Sequence, residues 1–257
     1  MNMTGNTILI TGGGSGIGRG LAEELHKLGN QVIISGRRRS VLDETIAANP
    51  GMAAITLDIE DATSIRAVAT QLANDYPALN VVIHNAGIMR PENLSAQQDD
   101  LADAEAMITT NLLGPIRLTA ALLPLLKKQP SATVMTVTSG LAFIPLAMTP
   151  TYCATKAAIH SYSQSLRYQL KSSNVQVIEL APPYVQTELM GSGQASDPRA
   201  MPLQEFVSEV IGLLKTKPDA TEILVERVKP LRFAEQNGTE KYDAFFQTFN
   251  DAMPHPN

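Results

Sequence analysis

The sequence has little of several features that would direct it to particular classes of protein. Its 257 residues include one cysteine, Cys153, which excludes an internal disulfide framework and is typical of a reducing compartment. With 25 acidic against 20 basic residues, the chain has no excess of positive charge that would favour nucleic acid as its main partner. The four histidines show no ligand spacing with one another or with acidic residues, so we expect no metal site. They are His26, His84, His160 and His255.

Long apolar runs and segments of biased composition are also missing. No window approaches the roughly 18 apolar residues that a transmembrane helix needs, and the first apolar stretch, Thr7–Thr11, is too short for a signal or an anchor. We find no internal repeat, no charge block and no low-complexity linker. The sequence therefore predicts a single soluble domain over residues 1–257 that spans no membrane and lies in the cytoplasm.

Short apolar runs alternate with longer amphipathic segments along most of the chain. The predicted strands are Thr7–Thr11, Gln31–Ser35, Ala53–Asp58, Asn80–His84, Thr133–Thr138, Val175–Leu180 and Glu222–Val225. The predicted helices are Ile17–Leu28, Ser40–Ala48, Ala62–Tyr76, Asp100–Leu126, Thr151–Lys171 and Leu203–Leu214. This alternation is typical of right-handed βαβ crossovers, and nearly continuous apolar strands indicate a sheet buried on both faces. We therefore predict an α/β, doubly wound Rossmann fold with a seven-stranded parallel sheet flanked by helices on both faces.

A glycine-rich turn follows the first strand and precedes the first helix, with the sequence Thr-Gly-Gly-Gly-Ser-Gly-Ile-Gly over residues 11–18. A turn without Cβ atoms lets the backbone approach a pyrophosphate, and the helix N-terminus offers unpaired N–H groups to it. A connector that only tolerates a tight turn is the alternative, which the flanking strand and helix disfavour. The predicted phosphate-binding residues are Gly12, Gly14, Ser15, Gly16, Ile17 and Gly18.

The end of the second strand indicates which dinucleotide is bound. An acidic residue at this place binds the ribose 2′-hydroxyl of NAD, whereas an arginine accommodates the 2′-phosphate of NADP. The sequence here is Ser-Gly-Arg-Arg-Arg over residues 35–39, with no acid. We expect Arg37, and after it Arg38, to bind the phosphate, so that NADP(H) is preferred and NAD(H) remains possible. The alternative is a solvated basic helix start, which the helix dipole disfavours.

Three residues in the second half of the chain could carry acid–base chemistry. Tyr152 and Lys156 are four residues apart on a predicted helix, so their side chains share one face. A nearby ammonium lowers the pKa of a tyrosine from its usual value of about 10 toward the working range. Ser139 ends a buried strand, where its hydroxyl could hold a carbonyl oxygen. The Tyr-x-x-x-Lys pair alone is frequent by chance as a surface helix pair, but its place after Ser139 and the glycine turn disfavours that alternative.

Taken together and in this order, these motifs resemble those of the short-chain dehydrogenase/reductase family over nearly the whole chain. Its hallmark is a Thr-Gly-x-x-x-Gly-x-Gly turn like that of residues 11–18. The resemblance implies Tyr152 as general acid/base and Ser139 as the group that holds the oxyanion. It also implies Lys156 as tuner of the tyrosine pKa and ligand of the nicotinamide ribose, and Asn111 as holder of a relay water.

The resemblance implies further cofactor contacts. Asp58 and Ile59 match the position that contacts the adenine, although Asp58 could instead be a cap or turn residue. The Asn-Ala-Gly element that shapes the cofactor pocket falls after His84, where the family commonly has asparagine, and consists of Asn85, Ala86 and Gly87.

After the sixth strand the family shows Pro-Gly-x-Val-x-Thr, and here Pro183 replaces the glycine after Pro182. Proline fixes φ and lacks an N–H group, but we still expect Val185 and Thr187 near the carboxamide. This Pro-Pro variant, with residues 201–206 and the last strand, resembles a bacterial branch of the family, the DltE-like oxidoreductases.

The resemblance divides the domain into a cofactor-binding and catalytic core (4–187), a substrate loop and helix (188–220) and a last strand with a C-terminal segment (221–257). Substrate recognition would fall to two apolar stretches. They are Leu141, Phe143, Ile144, Pro145 and Leu146, and then Pro183, Tyr184, Leu189 and Met190. With no basic cluster there, we expect an apolar ketone, aldehyde or secondary alcohol.

We therefore predict an NADP(H)-dependent oxidoreductase that interconverts a carbonyl and an alcohol. A non-catalytic NADP(H) sensor or partner-binding protein, and an epimerase or isomerase with transient oxidation, remain alternatives, since a fold does not fix a function. The resemblance also suggests a homodimer or homotetramer formed through the helices Asp100–Leu126 and Thr151–Lys171.

Overall fold

In the computed structural model, which describes residues 1–96 and 100–253, seven parallel strands form one sheet in the order β3-β2-β1-β4-β5-β6-β7. The strands are β1 (Thr7–Thr11), β2 (Gln31–Gly36), β3 (Ala53–Thr56), β4 (Leu79–His84), β5 (Ala132–Val137), β6 (Val175–Leu180) and β7 (Glu222–Ile223). Strand β2 lies on one side of β1 and β4 lies on the other, so the connections after β1 and β4 run in opposite directions. A crevice therefore opens between β1 and β4 at their carboxyl ends. The predicted α/β doubly wound fold is confirmed.

Helices cover both faces of this sheet. They are α1 (Gly16–Lys27), α2 (Arg39–Ala48), α3 (Ala62–Asp75), α4 (Ala102–Ile108), α5 (Gly114–Leu126), α6 (Pro150–Gln169), α7 (Ser192–Ala195), α8 (Leu203–Thr216), α9 (Lys229–Arg232) and α10 (Thr239–Asp251). The six predicted helices correspond to α1, α2, α3, the run from α4 to α5, α6 and α8. Side chains alternate between the faces of a strand, so Ile8 of β1 packs toward α1 and α8, whereas Leu9 packs toward α3 and α5.

Two predicted strands are longer than the observed ones. The prediction Ala53–Asp58 is wrong at its end, because the pairing of β3 with β2 stops at Thr56 and Asp58 lies in the following turn. The prediction Glu222–Val225 is also too long. β7 is an edge strand that pairs with β6 only at Glu222 and Ile223, after which the chain enters a 3₁₀ turn at Glu226–Val228.

The predicted helix Asp100–Leu126 is interrupted by a π-helical turn. Helix α4 passes into a π-helical segment at Thr109–Leu113 and continues as α5. A π turn inserts one extra residue into the helix and is frequent at functional sites. The inserted turn contains Asn111, one of the residues to which the resemblance gives a role.

The run Ala102–Leu126 is also long and apolar enough to cross a membrane by length and composition, contrary to our expectation that no window approaches this. Its side chains Leu118, Leu122 and Leu126 are nonetheless buried in the core between α5 and the sheet. Its apolar character is therefore explained by packing within the domain.

The C-terminal segment contains helices that the sequence did not reveal. Beyond β7 we predicted a C-terminal segment and assigned no helix to it, but α9 and α10 form there. Helix α10 lies against the segment that follows β5, because Asn250 accepts a hydrogen bond from Ala147 N at 2.6 Å and donates one to the carbonyl of Pro145 at 3.2 Å. Residues 254–257, with His255, lie outside the described residues.

Candidate active site

One cavity of about 910 Å³ runs along the carboxyl ends of the strands, from the glycine turn to α6. It opens where β1 and β4 diverge, which is where parallel α/β sheets bind ligands. The predicted site residues that line it are Gly12, Gly14, Ser15, Gly16, Ile17, Arg37, Arg38, Ile59, Asn85, Ala86, Gly87, Ser139, Tyr152, Lys156, Pro182, Val185 and Thr187. The remaining three, Gly18, Asp58 and Asn111, lie behind this wall.

The glycine turn has a backbone conformation and a close packing that side chains would prevent. Gly12 has a φ of +66°, and a Cβ there would lie 2.9 Å from Ala86 Cα. A Cβ on Gly18 would lie 2.3 Å from the Nδ2 atom of Asn85, so this glycine lets α1 pack closely against the loop after β4. No side chain caps the start of α1, and its first turn carries no acid, which leaves N–H groups facing the cavity. The turn therefore fits a dinucleotide pyrophosphate.

Asn85 and Thr11 fix the glycine turn to the end of β4. The side-chain amide of Asn85 donates to the carbonyls of Thr11 at 3.0 Å and Gly12 at 3.2 Å. The Thr11 hydroxyl accepts from the backbone N–H groups of Asn85 and Ala86, both at 3.0 Å. The Asn-Ala-Gly element thus holds the two sides of the crevice together.

The three arginines after β2 have different surroundings. Arg37 and Arg38 line the cavity, and Arg37 forms one ion pair with Glu60 at 2.9 Å. Arg39 lies outside it and pairs with Asp43 at 2.8 Å. Position on the cavity wall therefore distinguishes Arg37 and Arg38 from Arg39, since Arg37 and Arg39 each have an acidic partner.

Asp58 occupies a turn after β3. Its carboxylate accepts a hydrogen bond from Glu60 N at 3.0 Å, and its own N–H donates to the Ser64 hydroxyl at 3.1 Å. Ile59 lines the cavity. The side chain of Asp58 acts here as a turn residue, and a contact of this pair with adenine stays a prediction.

Ser139, Tyr152 and Lys156 converge at the other end of the cavity. The Ser139 hydroxyl, just beyond β5, accepts a hydrogen bond from Leu141 N at 3.0 Å and is hydrogen-bonded to the Tyr152 phenol. The Lys156 ammonium donates to the carbonyl of Val137 at 2.8 Å and lies 5.5 Å from the centroid of the Tyr152 ring. A carbonyl oxygen placed beside Ser139 would therefore also face the Tyr152 hydroxyl.

The surroundings of Tyr152 shift the pKa of its phenol in a direction that we did not expect. Burial raises the pKa of its phenol above the usual value, and the hydrogen bond from Ser139 opposes this shift only in part. Burial also lowers the pKa of Lys156 to about 8. Both shifts have one cause, since low-dielectric surroundings disfavour whichever form carries a charge. The direction for Tyr152 is opposite to the lowering that we expected from the Lys156 ammonium, and the role of Lys156 as tuner of the tyrosine pKa stays a prediction.

Asn111 uses its side chain to join the loop after β4 to α6. Its Oδ1 atom accepts from Ile88 N at 2.9 Å, and its Nδ2 group donates to the carbonyl of Ile88 at 2.9 Å and to the hydroxyl of Thr155 at 3.1 Å. Thr155 precedes Lys156, so this contact fixes the helix beside the ammonium. The relay water that the resemblance implies stays a prediction.

The segment after β6 lines the cavity close to Ser139. Pro182 accepts a hydrogen bond from Gly140 N at 2.8 Å, which ties it to the turn after Ser139. Val185 is buried and pairs with Met201, and the Thr187 hydroxyl accepts from the amide of Gln194 at 3.1 Å. Gln194 belongs to α7, so the first part of the predicted substrate loop and helix (188–220) contains a short helix that is held against Thr187.

The substrate end of the cavity is lined largely by apolar side chains, although Arg90, Glu188 and Arg199 also line the cavity, and its lining differs from the predicted one. Phe143, Ile144 and Pro145 do not line it. Ile144 is buried, and Phe143 packs edge-on against His160 at 4.9 Å between ring centroids. The lining includes Leu141, Leu146, Pro183, Tyr184, Leu189 and Met190, as predicted, and Met89, Met148, Phe249 and Met253, which sequence reasoning missed. Phe249 lies in α10 and Met253 lies two residues beyond its end, and Phe245 and Phe249 at helical spacing were the one available signal.

A cluster of ionisable groups lies below this end of the cavity. Ligating atoms of His160, Glu179 and Glu222 lie within 4.8 Å of one another, a grouping that sequence spacing could not reveal because its members come from α6, β6 and β7. Arg232 already supplies a positive charge there, at 3.0 Å from the Glu222 carboxylate. The cluster is therefore a network in which Arg232 forms an ion pair with Glu222 and His160 is hydrogen-bonded to Glu179.

Comparison with known proteins agrees with this architecture. Residues 6–197 match the family model described as short chain dehydrogenase. The chain is 41% identical over 253 residues, covering 97% of its length and 98% of the relative, to the uncharacterized oxidoreductase DltE of Bacillus subtilis strain 168. It is 26% identical to an uncharacterized oxidoreductase of Staphylococcus aureus strain N315, covering 89% and 99% of the two chains.

Solved structures show the same fold. A short chain dehydrogenase from Burkholderia cenocepacia J2315 in complex with NADP superposes with a TM-score of 0.82 at 22% identity, covering 99% of this chain and 100% of the other. A short chain dehydrogenase/reductase from Burkholderia phymatum in complex with NAD gives 0.77 at 19% identity, covering 92% and 95%. The matched family model, the DltE relative and the cavity geometry together show that this chain is an oxidoreductase of the short chain dehydrogenase family and of its DltE-like branch.

Proposed function

We propose that the protein interconverts a carbonyl and an alcohol by hydride transfer with NADP(H). The observation that supports this most directly is the continuity of the cavity. Its one end has the glycine turn with Arg37 and Arg38, and its other end has Ser139, Tyr152 and Lys156. A dinucleotide bound along the turn would reach the three polar groups with its nicotinamide.

The bound cofactor would supply the hydride. In the reduction, the Ser139 hydroxyl would hold the carbonyl oxygen while Tyr152 donates its proton to that oxygen as negative charge develops there. The phenol is protonated at neutral pH even at its usual pKa of about 10, and burial raises that pKa further, so proton donation would depend on stabilisation of the phenolate by Lys156. The Lys156 ammonium, anchored on the carbonyl of Val137, would stay beside the ring and favour the phenolate that proton donation leaves.

The preference for NADP(H) is supported by the two cavity arginines. Their guanidinium groups suit a phosphate dianion, and no carboxylate ends β2. Among the structural relatives, one was solved with NADP and another with NAD, so both dinucleotides occur on this fold.

For the substrate we propose an apolar ketone or aldehyde, or the corresponding secondary alcohol. Leucine and methionine side chains line the same cavity as Ser139, together with Phe249 of α10 and Met253 just after this helix. Such a wall selects among substrates by their shape and by their apolar surface area. Activity limited to small anionic keto acids in a panel of carbonyl compounds would contradict this proposal.

The cofactor proposal is tested by equilibrium binding of NADPH and NADH, followed by nicotinamide fluorescence. We expect NADPH to bind more tightly, and Arg37→Asp to remove that preference while NADH binding is retained. Arg39→Asp is the matched control, because it makes the same charge change at a side chain outside the cavity. Equal or better binding of NADH by the wild type would overturn the preference.

Catalysis by Tyr152 is tested with Tyr152→Phe, which removes only the hydroxyl. We expect turnover of the carbonyl panel to be lost, by about 10²-fold or more as for a general acid, with NADPH affinity within about twofold of the wild type. Retained turnover would exclude this role. A wild-type protein that binds NADPH but reduces no member of the panel would favour a sensor.

A further inference from the structure

Glu179 is a buried carboxylate that the proposed chemistry does not use. It lies on β6, one residue before the strand ends, and is 1% exposed. A buried charge is costly unless partners replace the water that it loses. Glu179 has two such partners. The Thr138 hydroxyl donates to its Oε1 atom at 2.8 Å, and His160 Nδ1 lies 2.9 Å and 2.8 Å from its two oxygens.

Each partner is next to a residue of the candidate active site. Thr138 directly precedes Ser139 at the end of β5. His160 lies one turn after Lys156 on the same face of α6. The Glu179 carboxylate therefore bridges the strand that presents Ser139 and the helix that presents Tyr152 and Lys156.

A second contact joins β5 and α6 close to the Glu179 bridge. Lys156 donates to the carbonyl of Val137, the residue before Thr138. The backbone around Ser139 is thus held to α6 at two consecutive residues, once by the catalytic lysine and once through Glu179. Phe143, at the base of the substrate segment, packs on His160 from one side and stacks with Arg232 on the other.

We propose that Glu179 is a positioning residue, whose bridge from Thr138 to His160 fixes the Ser139 hydroxyl relative to the Tyr152 phenol. This inference rests on the proposed function. It assigns a role in that reaction to a residue that does not line the cavity. Ion pairs of this kind contribute little net stability compared with apolar side chains of the same size. A displacement of a reacting group by 1 Å, in contrast, can lower a rate by about 10²-fold.

The test is Glu179→Gln in the full-length protein, with Glu222→Gln as the matched control. Both variants remove one negative charge from the same cluster, but Glu222 pairs with Arg232 and makes no contact with Thr138. With the carbonyl compound that the wild type reduces best, we expect Glu179→Gln to lower kcat by about tenfold or more, while KM and NADPH affinity stay within about twofold. Glu222→Gln should keep the wild-type kcat.

A double-mutant cycle with Thr138→Val separates positioning from loss of stability. If both residues act through one bridge, the double variant loses no more activity than the worse single variant. Amide hydrogen exchange supplies a readout that needs no turnover, and the peptide over residues 138–146 should exchange about tenfold faster in Glu179→Gln than in either the wild type or Glu222→Gln.

The possible outcomes distinguish this inference from the proposed function. Wild-type turnover with an unchanged kcat in Glu179→Gln, unchanged exchange, or additive losses in the cycle would each overturn the positioning role alone. A parallel loss of kcat, NADPH affinity and melting temperature would also overturn it, because it would show general unfolding. A wild type that reduces no carbonyl compound would instead overturn the proposed function, and with it any positioning role in that reaction.

Discussion

At the scale of single residues, burial controls the charge states of the groups around the crevice. Tyr152, Lys156 and His84 are all buried, and in each case burial favours the uncharged form. For Tyr152 burial has the largest influence on the pKa, which the sequence alone could not show. The sequence identifies the residues that can exchange protons, but the depth of each in the fold decides at which pH it does so.

His84 gives a prediction about stability and pH. Burial lowers its pKa from 6.5 to about 4, and its Nε2 atom is 2.8 Å from the Thr119 hydroxyl. Because the folded state holds the neutral ring, protons bind preferentially to the unfolded state between these two values. The contribution of His84 to the free energy of unfolding is therefore fully present above about pH 6.5. It is lost as the pH drops toward 4, which lowers the free energy of unfolding by on the order of 3 kcal/mol in total.

We expect urea unfolding to show this loss between pH 7 and pH 5 in the wild type. His84→Asn, which has no titratable side chain, should show a smaller loss over the same range. An identical pH dependence in both proteins would mean that His84 is not the responsible group.

At the scale of elements, two helical glycines should respond oppositely to the same substitution. A Cβ at Gly114, the start of α5, would lie 2.6 Å from Ile59 Cγ1 and 2.8 Å from its carbonyl oxygen. Gly114→Ala should destabilise the fold by about 1–3 kcal/mol, because the backbone neighbour has to move. Gly212 lies exposed within α8 with nothing near its Cβ position, so Gly212→Ala should stabilise by about 0.5–1 kcal/mol.

Chemical denaturation of the two variants checks this pair. Because the substitution is the same, differences in side-chain chemistry cancel, and only the local environment remains. Destabilisation by Gly212→Ala, or an unchanged Gly114→Ala protein, would contradict the packing that we describe.

Helix α10 gives a second prediction at this scale. Asn250 ties it to the segment after β5, and Phe249 beside it lines the substrate end of the cavity. Asn250→Ala removes both hydrogen bonds and should raise KM for the carbonyl substrate several-fold, with little effect on NADPH affinity. Gln247→Ala, at an exposed position of the same helix, is the control and should behave as wild type. Equal KM values in the two variants would show that α10 does not shape the site.

At the scale of the whole molecule, one sheet carries the two larger of the three apolar clusters, one on each face, so the described part of the chain should unfold as a unit. Strands β1, β2, β4, β5 and β6 contribute side chains to the clusters on both faces. The cofactor would bind across the carboxyl ends of these strands and should therefore stabilise the entire domain. The predicted association of copies through 100–126 and 151–171 stays a prediction, although Ile108, Leu113 and Tyr168 of these helices are exposed.

NADPH at 100 times its dissociation constant should stabilise the folded state by about 2.7 kcal/mol. For a domain of this size, that corresponds to a rise in melting temperature of roughly 5–10 °C. Thermal unfolding followed by circular dichroism measures it, with nicotinamide mononucleotide as the control because it lacks the adenylate half. Two separate transitions, or no shift with NADPH, would contradict a single cooperative domain with this cofactor site.

Much of the architecture follows from local pattern. The apolar runs predicted β1 and β6 with their observed bounds. The glycine turn lies between β1 and α1, the Tyr-x-x-x-Lys pair lies on α6, and the arginines follow β2, each as predicted. These features depend on residues close together in the chain, and spacing constrains such residues directly. The π turn around Asn111 was missed, because its sequence is compatible with an ordinary helix.

The sequence by itself determined the fold class, the order of the elements and the residues at the ends of the crevice, because hydrophobic periodicity and backbone freedom are local properties. Only the tertiary structure decided which charge states those residues adopt, which side of the cavity α10 closes, and that Glu179, Thr138 and His160 meet. Those outcomes depend on burial and on contacts between distant segments. Both arise from the packing of the whole chain, and no local stretch of sequence records them.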